Sequence, residues 1–259
     1  MDQPTAIAEK LEADWWAPRA PYAALEGALA PQSVEDAYAA QSVLQERFTA
    51  RRGEVAGRKI ALSSKAMQQM VGIDQPVAGA FFANDVHTSP AHIALADFRR
   101  LGLEFEISLE LAEDVGPGAG PFTAESARPL IASARPAFEL IEDKDADYSD
   151  LDVLTLVADN AWCGGVVLGE EIADWRALDL GDLASVVHQE GVEPEGANTG
   201  AADPLGSFAW VLNHFSGRGE TLRKGEHIIT GSAVRTRFPK AGDRLSYEVA
   251  GSRVEIALS

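Results

Sequence analysis

In the stretch LGLEFEISLEL, Leu101 to Leu111, Glu104, Glu106 and Glu110 alternate with Leu103, Phe105, Ile107, Leu109 and Leu111. Successive side chains on a strand point to opposite faces, so residues two apart lie side by side, roughly 6–7 Å from each other. Carboxylates that close repel; either water screens them or a cation sits between them. Taken alone, Glu104 and Glu106 read more simply as the solvated face of an antiparallel sheet. A third acid changes the weighing. Glu139, in RPAFELIED, falls on the face of Ala137 and Ile141 while Phe138 and Leu140 point the other way. It is therefore an acid among apolar residues on both sides of the pleat, where a carboxylate costs several kcal/mol unless paired, hydrogen-bonded or bound to a metal. Three carboxylates with no nearby Cys or His make a hard-oxygen site. That set suits Mg²⁺ or Mn²⁺, with water and substrate oxygens completing an octahedron, and disfavours zinc and copper.

Other polar residues have two readings each. Lys59, in GRKIALSS, alternates onto the face of Ala61 and Ser63. It is either a lysine at a sheet edge or a desolvated lysine near a cation, whose pKa falls so that it can move protons. Asp74, in VGIDQP, is a turn residue or an acid facing the same cleft. Asp159 and Asn160, in VADNAWCGG, build a turn, or Asn160 donates to a ligand oxygen. None of the five histidines shows metal-ligand spacing, and no nucleophile elbow, phosphate-binding loop or dinucleotide fingerprint is present. Cys163 lies in an apolar run and reads as a small core residue.

The elements that must position these groups are those of a single α+β domain, 1–259. An N-terminal helical region covers 1–52 and a β-rich body 53–259. Ser33 with Asp36 three residues on, then Ala37, Ala40, Leu44 and Phe48, predicts a helix from Val34 to Ala50. A strand over Val55 to Leu62, a cap at Ser63 or Ser64, a short helix and a stop at Gly72 follow. Beyond Val77, short apolar runs punctuated by Gly, Pro, Asn and Asp predict strands at 79–82, 101–111, 137–142, 161–168, 186–190, 228–231 and 245–249. Two helices interrupt them: one between Thr123 and Arg135, with Pro129 an awkward interior residue, and one capped by Asp203 with Pro204 at its first position. Strands and helices do not alternate strictly, which argues against a doubly wound parallel sheet.

Composition bounds the function. With 40 acidic against 22 basic residues among 259, the net charge of −18 repels phosphate backbones and anionic membranes, so nucleic acid and lipid surfaces are poor partners. One cysteine rules out an internal disulfide. No apolar run is long enough for a membrane span, and the N-terminus lacks the form of a secretory signal, which favours the cytoplasm.

Taken in order, GRKIALSSKAMQQMVGIDQP, EFEISLEL, ARPAFELIED, VADNAWCGGVVLG, IITGSAVRTRFP and GDRLSYEV resemble the 2-keto-4-pentenoate hydratase and 4-oxalocrotonate decarboxylase group of the fumarylacetoacetate hydrolase superfamily, from about Val34 onward. The resemblance implies a mixed sheet folded into a roll or barrel-like sandwich, a divalent metal (usually magnesium or manganese) and a homo-oligomer. It implies Glu104, Glu106 and Glu139 as metal ligands, Lys59 and Asp74 in proton transfer, and Ser232 of the Thr-Gly-Ser turn near a 2-oxoacid. The implied reaction is addition of water to a 2-hydroxy-2,4-dienoate, giving a 4-hydroxy-2-oxoacid in aromatic-compound breakdown. The same enolate chemistry serves a 2-oxoacid decarboxylase. The superfamily also contains acylpyruvate C–C hydrolases, and a non-catalytic ligand-binding homologue is a remoter alternative. Arg235 and Arg237, in AVRTRFP, face solvent or bind a second substrate carboxylate.

Overall fold

The computed structural model describes residues 2–16 and 19–259. Six helices of at least four residues are described: α1 (Gln3–Trp15), α2 (Val34–Arg52), α3 (Lys65–Val71), α4 (Ala124–Ala127), α5 (Val153–Ala158) and α6 (Pro204–Gly217). The strands are β1 (Val55–Ala61), β2 (Val77–Phe82), β3 (Val86–Thr88), β4 (Ala91–Ile93), β5 (Leu101–Leu111), β6 (Ile131–Glu142), β7 (Cys163–Leu168), β8 (Ala184–Gln189), β9 (Val192–Asn198), β10 (His227–Ile229), β11 (Arg244–Val249) and β12 (Ser252–Leu258). No described helix is long and apolar enough to cross a membrane.

Local chemistry sets the boundaries. The Ser33 hydroxyl accepts from the Asp36 amide and starts α2, while Gly53, at φ 80°, ends it. Ser64 caps α3 in the same way, and the left-handed Gly72 stops it. Asp203 caps α6 with Pro204 at its first position, as the sequence predicts. The helix predicted between Thr123 and Arg135 is corrected. It is one turn, Ala124–Ala127, followed by a 3₁₀ turn at Arg128–Leu130 that places Pro129 where no helical N–H is required. From Ile131 the chain is instead drawn into the sheet, because β6 pairs with β5 along nearly its whole length.

Seven strands form one mixed sheet in the order β2-β1-β10-β5-β6-β7-β3, and five form a second, β4-β12-β11-β8-β9. The β1–β10, β3–β7 and β4–β12 pairs are parallel and the rest antiparallel. The odd-numbered residues of β5, Leu103 to Leu111, are all at most 2% exposed and belong to the core between the sheets. Phe105 meets Phe138 and Tyr247 edge-on, with ring centroids 5.4 and 5.8 Å away. Burial of each such side chain stabilises the fold by about 1.5–3 kcal/mol. The opposite, concave face of the seven-stranded sheet carries the acids.

That sheet curls until its ends meet. Asn160, just before β7, closes the gap: its amide donates to the Ala80 carbonyl and accepts from the Ala80 N–H, both at 2.8 Å, as a neighbouring strand would. Glycine at position 79 is required there, since a Cβ would stand 2.5 Å from the Asn160 carbonyl. The helical arm covers the seam. Gln41 of α2 donates to the carbonyls of Ala78 and Val157, and Tyr38 accepts from the Ala78 amide.

Candidate metal centre and substrate cavity

The register of β5 on β6 sets Glu104 directly opposite Glu139, and Glu106 opposite Ala137. One oxygen from each of Glu104, Glu106 and Glu139 lies within 4.8 Å of the others. Glu106 and Glu139 are fully buried, while Glu104 is half-buried. The solvated-face reading of the strand is thereby excluded for Glu106, and the acid row of β5 turns inward.

Each carboxylate is aimed by a second contact. The Gly231 amide donates to Glu106 Oε2 at 2.6 Å, and the Thr236 hydroxyl to Glu104 Oε1 at 2.7 Å. Lys59 comes from β1, three places along the sheet from β6, and reaches over the concave face to put Nζ 2.9 Å from Glu139 Oε1. Glu106 Oε1 and Glu139 Oε2 have no hydrogen-bond partner among the described residues. Two buried anionic oxygens left without a donor are the observation that fits a cation, because oxygen donors in this number suit a hard divalent ion. Charge agrees: three carboxylates and one ammonium leave −2, which one divalent ion cancels. At 4.8 Å each like-charged pair repels by roughly 3 kcal/mol at an effective dielectric near 20.

The titration of these groups follows. Burial, then the opposing pull of Lys59 and the repulsion of Glu104, leaves Glu139 raised to about 7. Burial, then Glu139 and Glu104, pushes Glu106 well above the usual carboxylate range. Burial pushes Lys59 down, but Glu139, with Cys163 and Glu104 adding, overrides that and holds it above the usual lysine range.

Two groups of the centre, Lys59 and Glu104, open onto a cavity of about 680 Å³, a size that suits a small ligand. Its wall includes Lys59 and Glu104, Leu62 and Ser63 after β1, Ile141, Trp162, and the 231–236 segment. Ser232 lies in this wall, but its hydroxyl accepts from the Phe105 amide at 2.8 Å and donates to the Val234 carbonyl at 2.7 Å. Its clear task is to hold the segment that carries Gly231 and Thr236 against β5.

Two expected site residues are not brought to the cavity. Asn160 is buried, and its amide is engaged by Ala80 and by Gln45 at 2.9 Å, so it closes the sheet and is not free to meet a ligand. Asp74 is exposed on the loop after α3 and does not line the cavity; its carbonyl accepts from Lys65. Conversely, Thr236, the Gly231 amide and Trp162 were not singled out from sequence. Thr236 sits in a segment with no strand signal, and its relation to Glu104 arises from long-range pairing of 233–237 along β5.

Comparison with known proteins agrees with this geometry. No family model matches the chain. The chain is 31% identical over 234 residues to the 2-keto-4-pentenoate hydratase of Paraburkholderia xenovorans, covering 89% of this chain and 86% of that protein. It is 31% identical over 225 residues to the 2-hydroxyhexa-2,4-dienoate hydratase of Comamonas testosteroni, covering 85% and 83%. Among solved structures, 4-oxalocrotonate decarboxylase from Pseudomonas putida G7, complexed with magnesium and adipate, superposes with a TM-score of 0.89 at 23% identity, covering 99% of this chain and 97% of that one. An inward-facing carboxylate triad in a curled mixed sheet, joined to this similarity along nearly the whole chain, shows that the protein belongs to the 2-keto-4-pentenoate hydratase family.

Proposed function

We propose that the protein is a hydro-lyase that adds water to a 2-hydroxy-2,4-dienoate to give a 4-hydroxy-2-oxoacid, in the breakdown of aromatic compounds. The observation that carries the reading is the buried triad of Glu104, Glu106 and Glu139 with two partnerless oxygens and Lys59 beside it. The triad would hold the divalent ion, magnesium or manganese. When bound, that ion would supply Lewis-acid stabilisation of developing enolate charge on a 2-oxoacid.

The chain's own residues do the rest. Lys59 moves the protons: its ammonium, 2.9 Å from Glu139, delivers one to the terminal carbon of the dienol, and the 2-hydroxyl gives its own to a water that returns it to the lysine. Addition of hydroxide at C4 and a proton at C3 then completes the uptake of one water. Ile141, Leu62 and Trp162 give the diene an apolar wall and limit the water that reaches it. Glu106 and Glu104 keep their aim through Gly231 and Thr236. No step is assigned to Asp74. The homo-oligomeric state is part of the same proposal, and light scattering on the eluting protein tests it.

The decisive assay follows the ultraviolet absorbance of 2-hydroxypenta-2,4-dienoate with Mg²⁺ and with EDTA, with identification of the product. Metal-dependent decay to 4-hydroxy-2-oxopentanoate is expected. Persistent absorbance with metal bound would overturn the reading.

A further inference from the structure

Arg235 and Arg237 follow the same turn, and the fold gives them different work. Arg237 is occupied: Nη2 lies 2.6 Å from Glu195, Nη1 donates to Gln189 Oε1 at 2.9 Å, and the guanidinium lies over the Phe105 ring at 5.6 Å. Arg235 lines the cavity and is exposed, and among the described residues it makes no hydrogen bond or ion pair. Other surface cations such as Arg244 also lack a partner among those residues; what sets Arg235 apart is its place in the cavity wall. The other cavity cation, Lys59, is ion-paired.

Position gives the free guanidinium a use. The next residue, Thr236, donates to Glu104, so Arg235 leaves the backbone beside a residue that touches the triad. Ile141, Trp162, Val234 and Phe238 line the same cavity and supply an apolar wall. A ligand that places a 2-oxoacid head at the triad and runs its chain along this wall can present its far end to Arg235. A planar guanidinium matches a carboxylate through two parallel hydrogen bonds. It also offsets, locally, the repulsion that a chain of net charge −18 exerts on a dianion.

We propose that Arg235 binds a second carboxylate, so that the site prefers dienoates carrying a distal carboxylate over monocarboxylates of the same length. This rests on the reading of the triad as the seat of the 2-oxoacid head. The test is calorimetric binding of 2-oxoadipate and 2-oxohexanoate to the Mg²⁺-loaded full chain. The two ligands have equal length and lack the conjugated double bond, so neither hydration nor decarboxylation intervenes. The wild type is expected to bind 2-oxoadipate roughly five- to tenfold more tightly, a modest ratio because solvent screens an exposed pair. Arg235→Ala should abolish the difference without changing 2-oxohexanoate, and Arg235→Lys should keep part of it. Equal wild-type affinities, no binding of either ligand, or equal weakening of both by Arg235→Ala would overturn the assignment. Hydration of 2-hydroxypenta-2,4-dienoate, assayed separately, isolates the parent reading: selective binding without turnover sinks the hydratase alone, and turnover without selectivity sinks Arg235 alone.

Discussion

Two lysines of this protein are buried against carboxylates, and their surroundings differ. Lys144 and Asp159 form an ion pair in which Asp159 also accepts from the Trp15 indole at 2.6 Å, so both carboxylate oxygens have donors. That pair ties the end of α1 to the turn before β7. Lys59 pairs with Glu139, yet Glu139 Oε2 and the neighbouring Glu106 Oε1 have no donor, and two further acids crowd the same space. Burial is the same in both. The difference lies in satisfaction: the Lys144 cluster is complete as it stands, whereas the Lys59 cluster carries excess negative charge that the protein alone does not neutralise. A buried ion pair with all its lone pairs used is a structural tie, and one with partnerless oxygens beside two further acids fits a divalent cation.

Breaking each cluster should expose that contrast. The largest effect is expected from Glu106→Gln or Glu139→Gln, which should cut metal-dependent turnover by at least ~10³-fold. Thermal melting of metal-free Glu106→Gln, which breaks no ion pair, should match or exceed that of the metal-free wild type, because like-charge repulsion is relieved. Next, Asp159→Asn leaves Lys144 buried without its counter-charge and should cost about 3–5 kcal/mol in urea unfolding, while Mg²⁺ affinity of the folded protein stays near wild type. Parallel loss of stability in both sets would erase the distinction between the clusters. Asn160→Ala removes the surrogate strand contacts to Ala80 and should cost about 1–3 kcal/mol of stability, consistent with a closure role and not a ligand contact.

The smallest expected effect is a slope with pH. Glu139 is raised from 4.5 to about 7 in the folded protein, so the folded state retains a proton that the unfolded chain releases in that interval. Metal-free stability should therefore fall as pH rises from about 5 to 7. Added Mg²⁺ should oppose the fall, since the ion takes the proton's place. Melting curves in EDTA and in Mg²⁺ across that range check both signs; a metal-free curve that rises with pH would show that Glu139 is not raised.

Much of this was legible in residue types. The alternation of LGLEFEISLEL identified both faces of β5, and an acid flanked by Phe138 and Leu140 marked Glu139 as costly. Capping chemistry located α2, α3 and α6 to within a few residues. What sequence could not supply was register. Opposition of Glu104 to Glu139 is set by eleven residue pairs between β5 and β6, and the reach of Lys59 depends on the curl of the whole sheet. For the same reason the sequence leaves two readings of Asn160 open. An asparagine before a glycine-rich strand looks free to bind a ligand until the Ala80 edge arrives to occupy it. Two arginines two residues apart look equivalent in sequence, and the approach of Glu195 and Gln189 to Arg237 separates them. The short strands β3 and β4 and the exposed β9 carry too few apolar residues to signal themselves, whereas β12 carries the alternation of Val254, Ile256 and Leu258.

The central claim is that Glu104, Glu106 and Glu139 together hold one divalent ion. Calorimetric titration of Mg²⁺ into metal-free wild type and Glu106→Gln, in two buffers of different ionisation enthalpy, tests it most directly. The account predicts one ion per chain for the wild type, with proton release near neutral pH, and binding lost or weakened at least tenfold in the variant. Equal affinity in the two proteins, or no saturable site in the wild type, would contradict it.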